Sequence, residues 1–127
     1  MIRSKIDFDT VRRIALALPG VEESTAYGNP ALKAQETLLA CVPTHRSAEP
    51  GSLMVKVDFG DRAQLLDEAP DVYYVTEHYA GYPSVLVRLS RVDADMLRDL
   101  LKMAHKFVTR KRAARAPVRK RRKAKRG

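Results

Sequence analysis

The sequence has a single cysteine, Cys41, among its 127 residues, and this scarcity excludes several kinds of structure. One cysteine cannot form an internal disulfide, and it cannot supply the ligands of a cysteine-built zinc site. The chain also lacks a run of about 18 apolar residues, the length that a membrane-spanning helix needs. Residues 1–7 contain no apolar stretch of the kind found in secretory signal peptides. We therefore expect a soluble, reduced, cytoplasmic protein.

The sequence also lacks the common catalytic motifs. It contains no GxSxG, HExxH, P-loop or GxGxxG pattern. Its three histidines are dispersed, and none has a carboxylate at metal-ligand spacing on a helix. We expect His45 to be a solvated loop residue, and His105 to be a packing residue of the last helix, beside its apolar stripe. We expect Cys41 to be an inert buried thiol unless the sheet brings it to His78. The prediction is a protein without enzymatic activity, cofactor or bound metal.

Acidic residues are absent from residues 110–127, and this absence divides the chain. The basic residues of that segment are Arg110, Lys111, Arg112, Arg115, Arg119, Lys120, Arg121, Arg122, Lys123, Lys125 and Arg126. The other 13 of the 24 basic residues, and all 15 acidic residues, lie in residues 1–109. Residues 1–109 therefore carry a net charge of −2, and the formal charge of +9 arises from the C-terminal segment.

The composition of residues 110–127 is typical of a disordered tail. Its one valine cannot offset the ordering entropy of the segment, its like charges repel each other, and Pro117 is expected to stop any incoming helix. Such an arm neutralises phosphates largely without reading base sequence. We assign these eleven basic residues as the candidate nucleic-acid-binding residues, and we expect the partner to be DNA rather than RNA. The alternative is a solvated tail that only aids solubility.

Hydrophobic periodicity predicts three helices. The first covers residues 7–18 and the last covers residues 93 to about 109, and Asp7 and Asp93 stand at their N-cap positions. A shorter helix over residues 62–69 is expected to begin after Asp61. Residues 22–25 are expected to be a polar connector, and residues 77–83 a turn.

Five apolar segments have the composition of strands: residues 31–34, 37–42, 53–57, 72–76 and 84–89. The first two flank Gln35 and Glu36 and predict a hairpin. Only Arg88 interrupts the last segment, so that strand is expected to be buried on both faces. The order α-β-β-β-α-β-β-α predicts an α+β domain over residues 1–109, with helices packed on an antiparallel sheet.

Four of the five tyrosines lie in residues 73–82, and Tyr27 is the fifth. Together with nearby cations they predict a possible pocket formed by Tyr27, Lys33, His78, Tyr79, Tyr82 and Arg88. Tyrosine, histidine and lysine side chains can bind an anion or stack on a base. The alternative is structural, because tyrosines near strand ends usually pack their rings on the sheet and leave the hydroxyl in water.

Several segments together resemble the MmcQ/YjbR family of small bacterial proteins. They are LPGVEES at residues 18–24, YGNPALK at 27–33, VKVD at 55–58 and HYAGYPSVLVRL at 78–89, within a similarity over about residues 6–108. The resemblance implies a compact α+β domain with a "double wing" arrangement of strands, and it implies DNA binding. It brings no catalytic residues, and the basic tail is an addition to the family domain.

Two functional hypotheses follow. The first is a non-enzymatic DNA-binding protein of the MmcQ/YjbR type, in which the tail contacts phosphates with low sequence specificity. The second is a small-ligand or protein-interaction domain with a tyrosine-lined pocket, in which the tail only aids solubility.

Overall fold

Among the described residues, six strands form a single sheet with every neighbouring pair antiparallel. The computed structural model describes the backbone of residues 6–121 and the side chains of residues 6–110. The elements are α1 Phe8–Leu16, β1 Val21–Ala26, β2 Asn29–Ala34, β3 Thr37–Cys41, β4 Ser52–Lys56, α2 Phe59–Glu68, β5 Tyr73–Tyr74, α3 Glu77–Ala80, β6 Ser84–Arg88 and α4 Ala94–Arg121. The spatial order of the strands is β1-β2-β3-β4-β6-β5. The expected α+β class with an antiparallel sheet is confirmed.

Aspartates cap the helices at both ends of the domain, as expected. The Asp7 carboxylate accepts a hydrogen bond from the Thr10 N–H at 3.1 Å. The Asp93 carboxylate accepts one from the Met96 N–H at 2.8 Å. Each bond satisfies a donor that the first helical turn leaves without a partner, which fixes where α1 and α4 begin.

The start of α2 differs from the expectation that Asp61 would cap it. The helix begins at Phe59, and Asp58 is the capping residue. The Asp58 carboxylate accepts a hydrogen bond from the Asp61 N–H at 2.7 Å. Asp61 lies in the first turn, where its charge still favours the positive end of the helix. Aspartate is common at the start of helices, so either residue could be the cap, and the structure shows that it is Asp58.

Helices α1 and α4 pack on one face of the sheet and enclose the main core. The core residues of α4 are Leu97, Leu100, Leu101, Ala104 and Val108. Leu53, Val55 and Val57 alternate along β4 toward the same core and are fully buried. In β6, Val85 and Val87 belong to the main core, whereas Leu86 belongs to a second cluster. The expectation that this strand is buried on both faces is therefore confirmed.

The second cluster lies on the other face of the sheet, and it is small. Its buried members are Ala31, Cys41, Met54 and Leu86. No long helix covers this face within the described residues; residues 42–51 and α3 approach it instead, through Ala48 and Tyr79. The sheet therefore has one face covered by helices and one face covered by a loop and a single helical turn.

Two elements were not expected from the sequence. β1 was expected to be a connector, because its sequence VEESTA lacks apolar alternation. It is an edge strand that buries only Val21, and a two-residue turn at Tyr27 and Gly28 joins it to β2 in antiparallel register. Both turn residues have positive φ, as the hairpin twist requires. α3 forms within the expected turn, and β5 is shorter than the expected strand over residues 72–76.

The expected end of the last helix near Thr109 is wrong, because α4 continues to Arg121. The backbone predicted to be disordered is thus helical as far as Arg121, and Pro117 does not end the helix. Residues 122–127, also assigned to the disordered tail, lie outside the described residues. The division into a domain over residues 1–109 and a separate tail stays a prediction. Within the described chain, no helix has the length and apolar character to cross a membrane.

The packing of α4 on the sheet gives a first test. Leu101 is fully buried between α4 and the sheet, so Leu101→Ala removes apolar contacts and leaves a cavity. We expect the free energy of unfolding in urea to fall by about 2–5 kcal/mol. Lys102→Ala, at the exposed neighbouring position, should change it by less than about 0.5 kcal/mol. Equal effects of the two substitutions would contradict this packing.

Candidate functional site

A cleft of about 520 Å³ opens on the face of the sheet opposite α1 and α4. Strand residues on adjacent strands form its floor: Leu38, Cys41, Met54, Lys56 and Ser84. Residues 43–45, His78, Tyr79 and Tyr82 form its walls, and Tyr27 reaches it from the β1–β2 turn. Its volume lies within the range of small-molecule sites, roughly 300–1,000 Å³.

Two histidines stack on each other in one wall of the cleft. The rings of His45 and His78 have centroids 3.6 Å apart and planes inclined by 8°. Tyr79 contacts the stack edge-on, with its ring centroid 4.7 Å from that of His78. The expectation that His45 is a solvated loop residue is wrong, because the loop folds back over α3. The two histidines are far apart in the sequence, so no spacing rule indicated their contact.

The surroundings of His45 favour the neutral form of its ring. Its Nδ1 accepts a bond from the Ser47 N–H at 3.1 Å, which assigns the ring proton to Nε2. Partial removal from water, followed by the nearby charges of His78 and Arg46, holds the pKa of His45 below its ordinary value. Ser47 also bonds to Thr76 at 2.8 Å through their hydroxyls, which joins the loop to the start of α3. His45, which lines the cleft, thus carries its ring proton on Nε2, where it is a hydrogen-bond donor.

A clamp around Arg88 fixes the loop that carries His45. Its Nε and Nη2 donate to the two carboxylate oxygens of Glu49, each at 2.9 Å. The guanidinium lies 4.4 Å from the ring centroid of Tyr74. The Tyr74 hydroxyl in turn accepts from the Glu49 N–H at 2.8 Å and bonds to the Ser52 hydroxyl at 2.6 Å. The hydrogen bonds from Arg88 lower the pKa of Glu49. Residues 42–51 are therefore held against the sheet on both sides.

The cleft brings together four of the six residues predicted to form a pocket: Tyr27, His78, Tyr79 and Tyr82. The other two lie elsewhere. Lys33 is opposite Glu22 in the β1–β2 pair and lines a separate acidic depression. Arg88 belongs to the clamp, where its side chain supports the cleft wall rather than lining the cleft.

Cys41 and His78 line the same cleft. Cys41 is a free, buried thiol, as expected, and burial raises its pKa. The neutral thiol belongs to the small apolar cluster under the cleft. A raised pKa opposes the thiolate that a nucleophile needs, so the shared cleft does not by itself make Cys41 reactive.

Sequence reasoning did not assign Met54, Lys56 and Ser84 to the cleft. The alternation of β4 carried part of the signal, because Met54 and Lys56 point away from the core face of Leu53 and Val55. No sequence signal indicated the pairing of Lys56 with Ser84 across β4 and β6, because the order of strands in the sheet cannot be read from residue spacing.

The remaining titratable residues form no further centre in the described part of the chain. There, no three His, Cys, Asp or Glu side chains gather in a way that could hold a metal ion. His105 bonds through Nε2 to the Pro19 carbonyl at 2.7 Å, which ties α4 to the turn after α1. Among the basic residues assigned to nucleic acid, Arg110 has a described side chain, and it lies 3.4 Å from the Asp58 carboxylate. The side chains of the others lie outside the described residues.

The chain is similar in sequence to a known protein family and to several bacterial proteins, and similar in fold to a solved structure. A family model described as YjbR matches residues 16–107. The proteins named "Uncharacterized protein Rv2570" of Mycobacterium tuberculosis and "Uncharacterized protein Mb2600" of Mycobacterium bovis are each 32% identical to it, over 74% of this chain and 81% of theirs. The crystal structure of Deinococcus radiodurans protein DR2400, with a DUF419 domain, matches with a TM-score of 0.68 at 23% identity. That match covers 87% of this chain and 84% of the other, and it shows the fold alone.

The clamp predicts a specific dependence of stability on pH. Because the pKa of Glu49 is lowered in the folded state, its contribution is present above the ordinary value of 4.5 and is lost as pH falls through the lowered pKa. We expect Glu49→Gln to flatten the loss of unfolding free energy between about pH 5 and pH 3, measured by urea titration. Glu36→Gln is the control, since Glu36 is an exposed residue of the turn between β2 and β3 and lies outside the clamp. An unchanged pH profile in Glu49→Gln would refute the clamp.

Proposed function

The chain belongs to the YjbR family, and from this premise we propose that it is a non-enzymatic, cytoplasmic DNA-binding protein. The curated relatives carry no functional name, so the proposal is argued from the charges of this chain. Its basic C-terminal segment contacts phosphates with little preference for base sequence. The observation that carries the proposal is the division of charge at residue 110.

The position of the basic segment on α4 supports this proposal. Val108 is the last residue of α4 in the main core, and the helix backbone continues beyond it to Arg121. Seven of the eleven basic residues lie in that extension, and the other four follow it in the sequence. The cations therefore follow the part of α4 that packs on the domain, and DNA can approach them without displacing core contacts. At Arg110 a phosphate would compete with the Asp58 carboxylate, which lies 3.4 Å away.

The charges of the domain support the tail as the main source of affinity. Arg98 pairs with Asp95 at 2.7 Å, and Arg88 pairs with Glu49 at 2.9 Å. Arg12 pairs with both Asp9 and Glu23. Phosphate contact by these arginines would have to compete with carboxylates already in place. Residues 1–109 also carry a net charge of −2, which opposes a broad phosphate-binding face.

Salt dependence tests the proposal. If about six tail cations meet phosphates, the slope of log affinity against log salt on duplex DNA should be roughly −5. Truncation after Thr109 should remove most of the binding and most of the slope. Arg98→Gln is the matched control, because it removes a cation of α4 that already has a carboxylate partner. Duplex binding of equal strength by the truncated chain at the same salt would eliminate the tail as its source.

The cleft favours a second candidate function, the binding of a small ligand. Its volume and its aromatic and polar lining are those of small-molecule sites. In this case, replacing His78 and Tyr82 by alanine should abolish the binding of compounds that perturb cleft resonances in an NMR screen. The same double variant should retard duplex DNA in an electrophoretic mobility assay to the same extent as the unmodified chain does. Loss of both activities together would argue against separate sites.

A further inference from the structure

We propose that the cleft binds one planar heteroaromatic ring of the nucleobase class, with Tyr27 and Tyr82 as its stacking surfaces. The inference rests on the second candidate function, the small-ligand site, and names its ligand class. It does not require the basic segment.

Tyr27 is the first observation. It occupies a hairpin turn with φ of +55°, a left-handed conformation that is unfavourable for a bulky residue and suits Asn, Asp or Gly. Its side chain is 88% exposed, and it makes no hydrogen bond or ring contact with another described residue. In the free protein, packing of this ring therefore does not offset the unfavourable backbone conformation of Tyr27. A flat ligand lying against it would cover an apolar face that is otherwise in water.

Tyr82 is the second observation. It is 58% exposed and lines the same cleft, with its ring centroid 6.4 Å from that of His78. The wall behind it is already a stack of flat rings, that of His45 and His78. Aromatic faces of this kind bind bases without requiring a particular base, because every base has a π-face.

Ser84 is the third observation, and it distinguishes a heteroaromatic ring from a hydrocarbon. The residue is only 2% exposed, and it lines the floor of the cleft opposite Lys56 in the β4–β6 pair. Buried hydroxyls are normally bonded, so a ligand in the cleft meets in Ser84 a hydroxyl that can donate or accept a hydrogen bond. The Nε2–H of His45 is a second group that can bond to ring atoms. Ring nitrogens and carbonyls satisfy both groups, whereas a hydrocarbon satisfies neither.

The test measures the fluorescence of 2-aminopurine riboside titrated with the full chain, since stacking on tyrosine quenches this base. We expect saturable quenching that adenosine reverses. Tyr82→Leu and Tyr27→Asn should each weaken binding roughly ten-fold, the scale of one aromatic stacking contact. Tyr27→Phe keeps the ring and should bind as the unmodified chain does. Ser84→Ala should also weaken binding.

Thermal unfolding separates a binding defect from a folding defect. Tyr27→Asn places a favoured residue in the turn, so its melting temperature should be equal to or above that of the unmodified chain. Weaker binding by this more stable variant supports the proposal. Unchanged binding by both Tyr27→Asn and Tyr82→Leu, or no quenching at millimolar riboside, would overturn it.

A second arm distinguishes a free nucleoside from a base within a strand. The probe is a single-stranded oligonucleotide with one internal 2-aminopurine, compared with the riboside in high salt, where contacts to the basic segment are weakened. Either source supports the proposal if the Tyr82→Leu variant loses the quenching.

The experiments also separate failure of this inference from failure of the proposed functions. Quenching without salt-dependent duplex binding would leave the base site standing and remove the DNA-binding proposal. A cleft that binds only compounds without an aromatic ring would overturn the ligand class and leave the small-ligand site standing.

Discussion

The alternation of side chains along β4 and β6 is the constraint on which the rest of the structure depends. Both strands bury apolar side chains on both faces, with Met54 and Leu86 on the face that α1 and α4 do not cover. Residues 42–51 and α3 cover the other face in part, held by the Arg88–Glu49 clamp and the Ser47–Thr76 bond. A loop and one helical turn cannot fill the space that a long helix would fill. The cleft is the space that remains between them.

The same asymmetry separates two chemistries in one small chain. On the helix-covered face, α4 continues past its last core residue, Val108, and this extension contains basic residues. The open face carries aromatic rings, a His45 whose pKa is lowered by partial removal from water, and the buried Ser84. The proposed phosphate contact and the proposed ring stacking would therefore use different surfaces, and neither proposal requires the other. Tyr27 combines a left-handed backbone conformation, which is unfavourable for a bulky residue, with a largely exposed side chain.

Much of the fold could be predicted because its signals are local. Asp7 and Asp93 begin their helices as predicted, and Gln35 and Glu36 form the predicted hairpin turn. β1 was missed because an edge strand buries little and therefore shows no apolar alternation. At Pro117 the local rule gave a wrong prediction. Proline disfavours the interior of a helix, but the backbone of α4 continues through this residue.

The sequence by itself determined the α+β class, the family resemblance and the separation of charge at residue 110, because composition and periodicity are properties of neighbouring residues. It also indicated Tyr27, His78, Tyr79 and Tyr82 as candidate site residues from their concentration in two turns. Only the tertiary structure decided that His45 stacks on His78, that Ser84 lines the cleft, and that Lys33 and Arg88 lie elsewhere. Those outcomes depend on strand order and on where a loop folds back. Both are set by contacts between residues distant in the chain, for which spacing carries no signal.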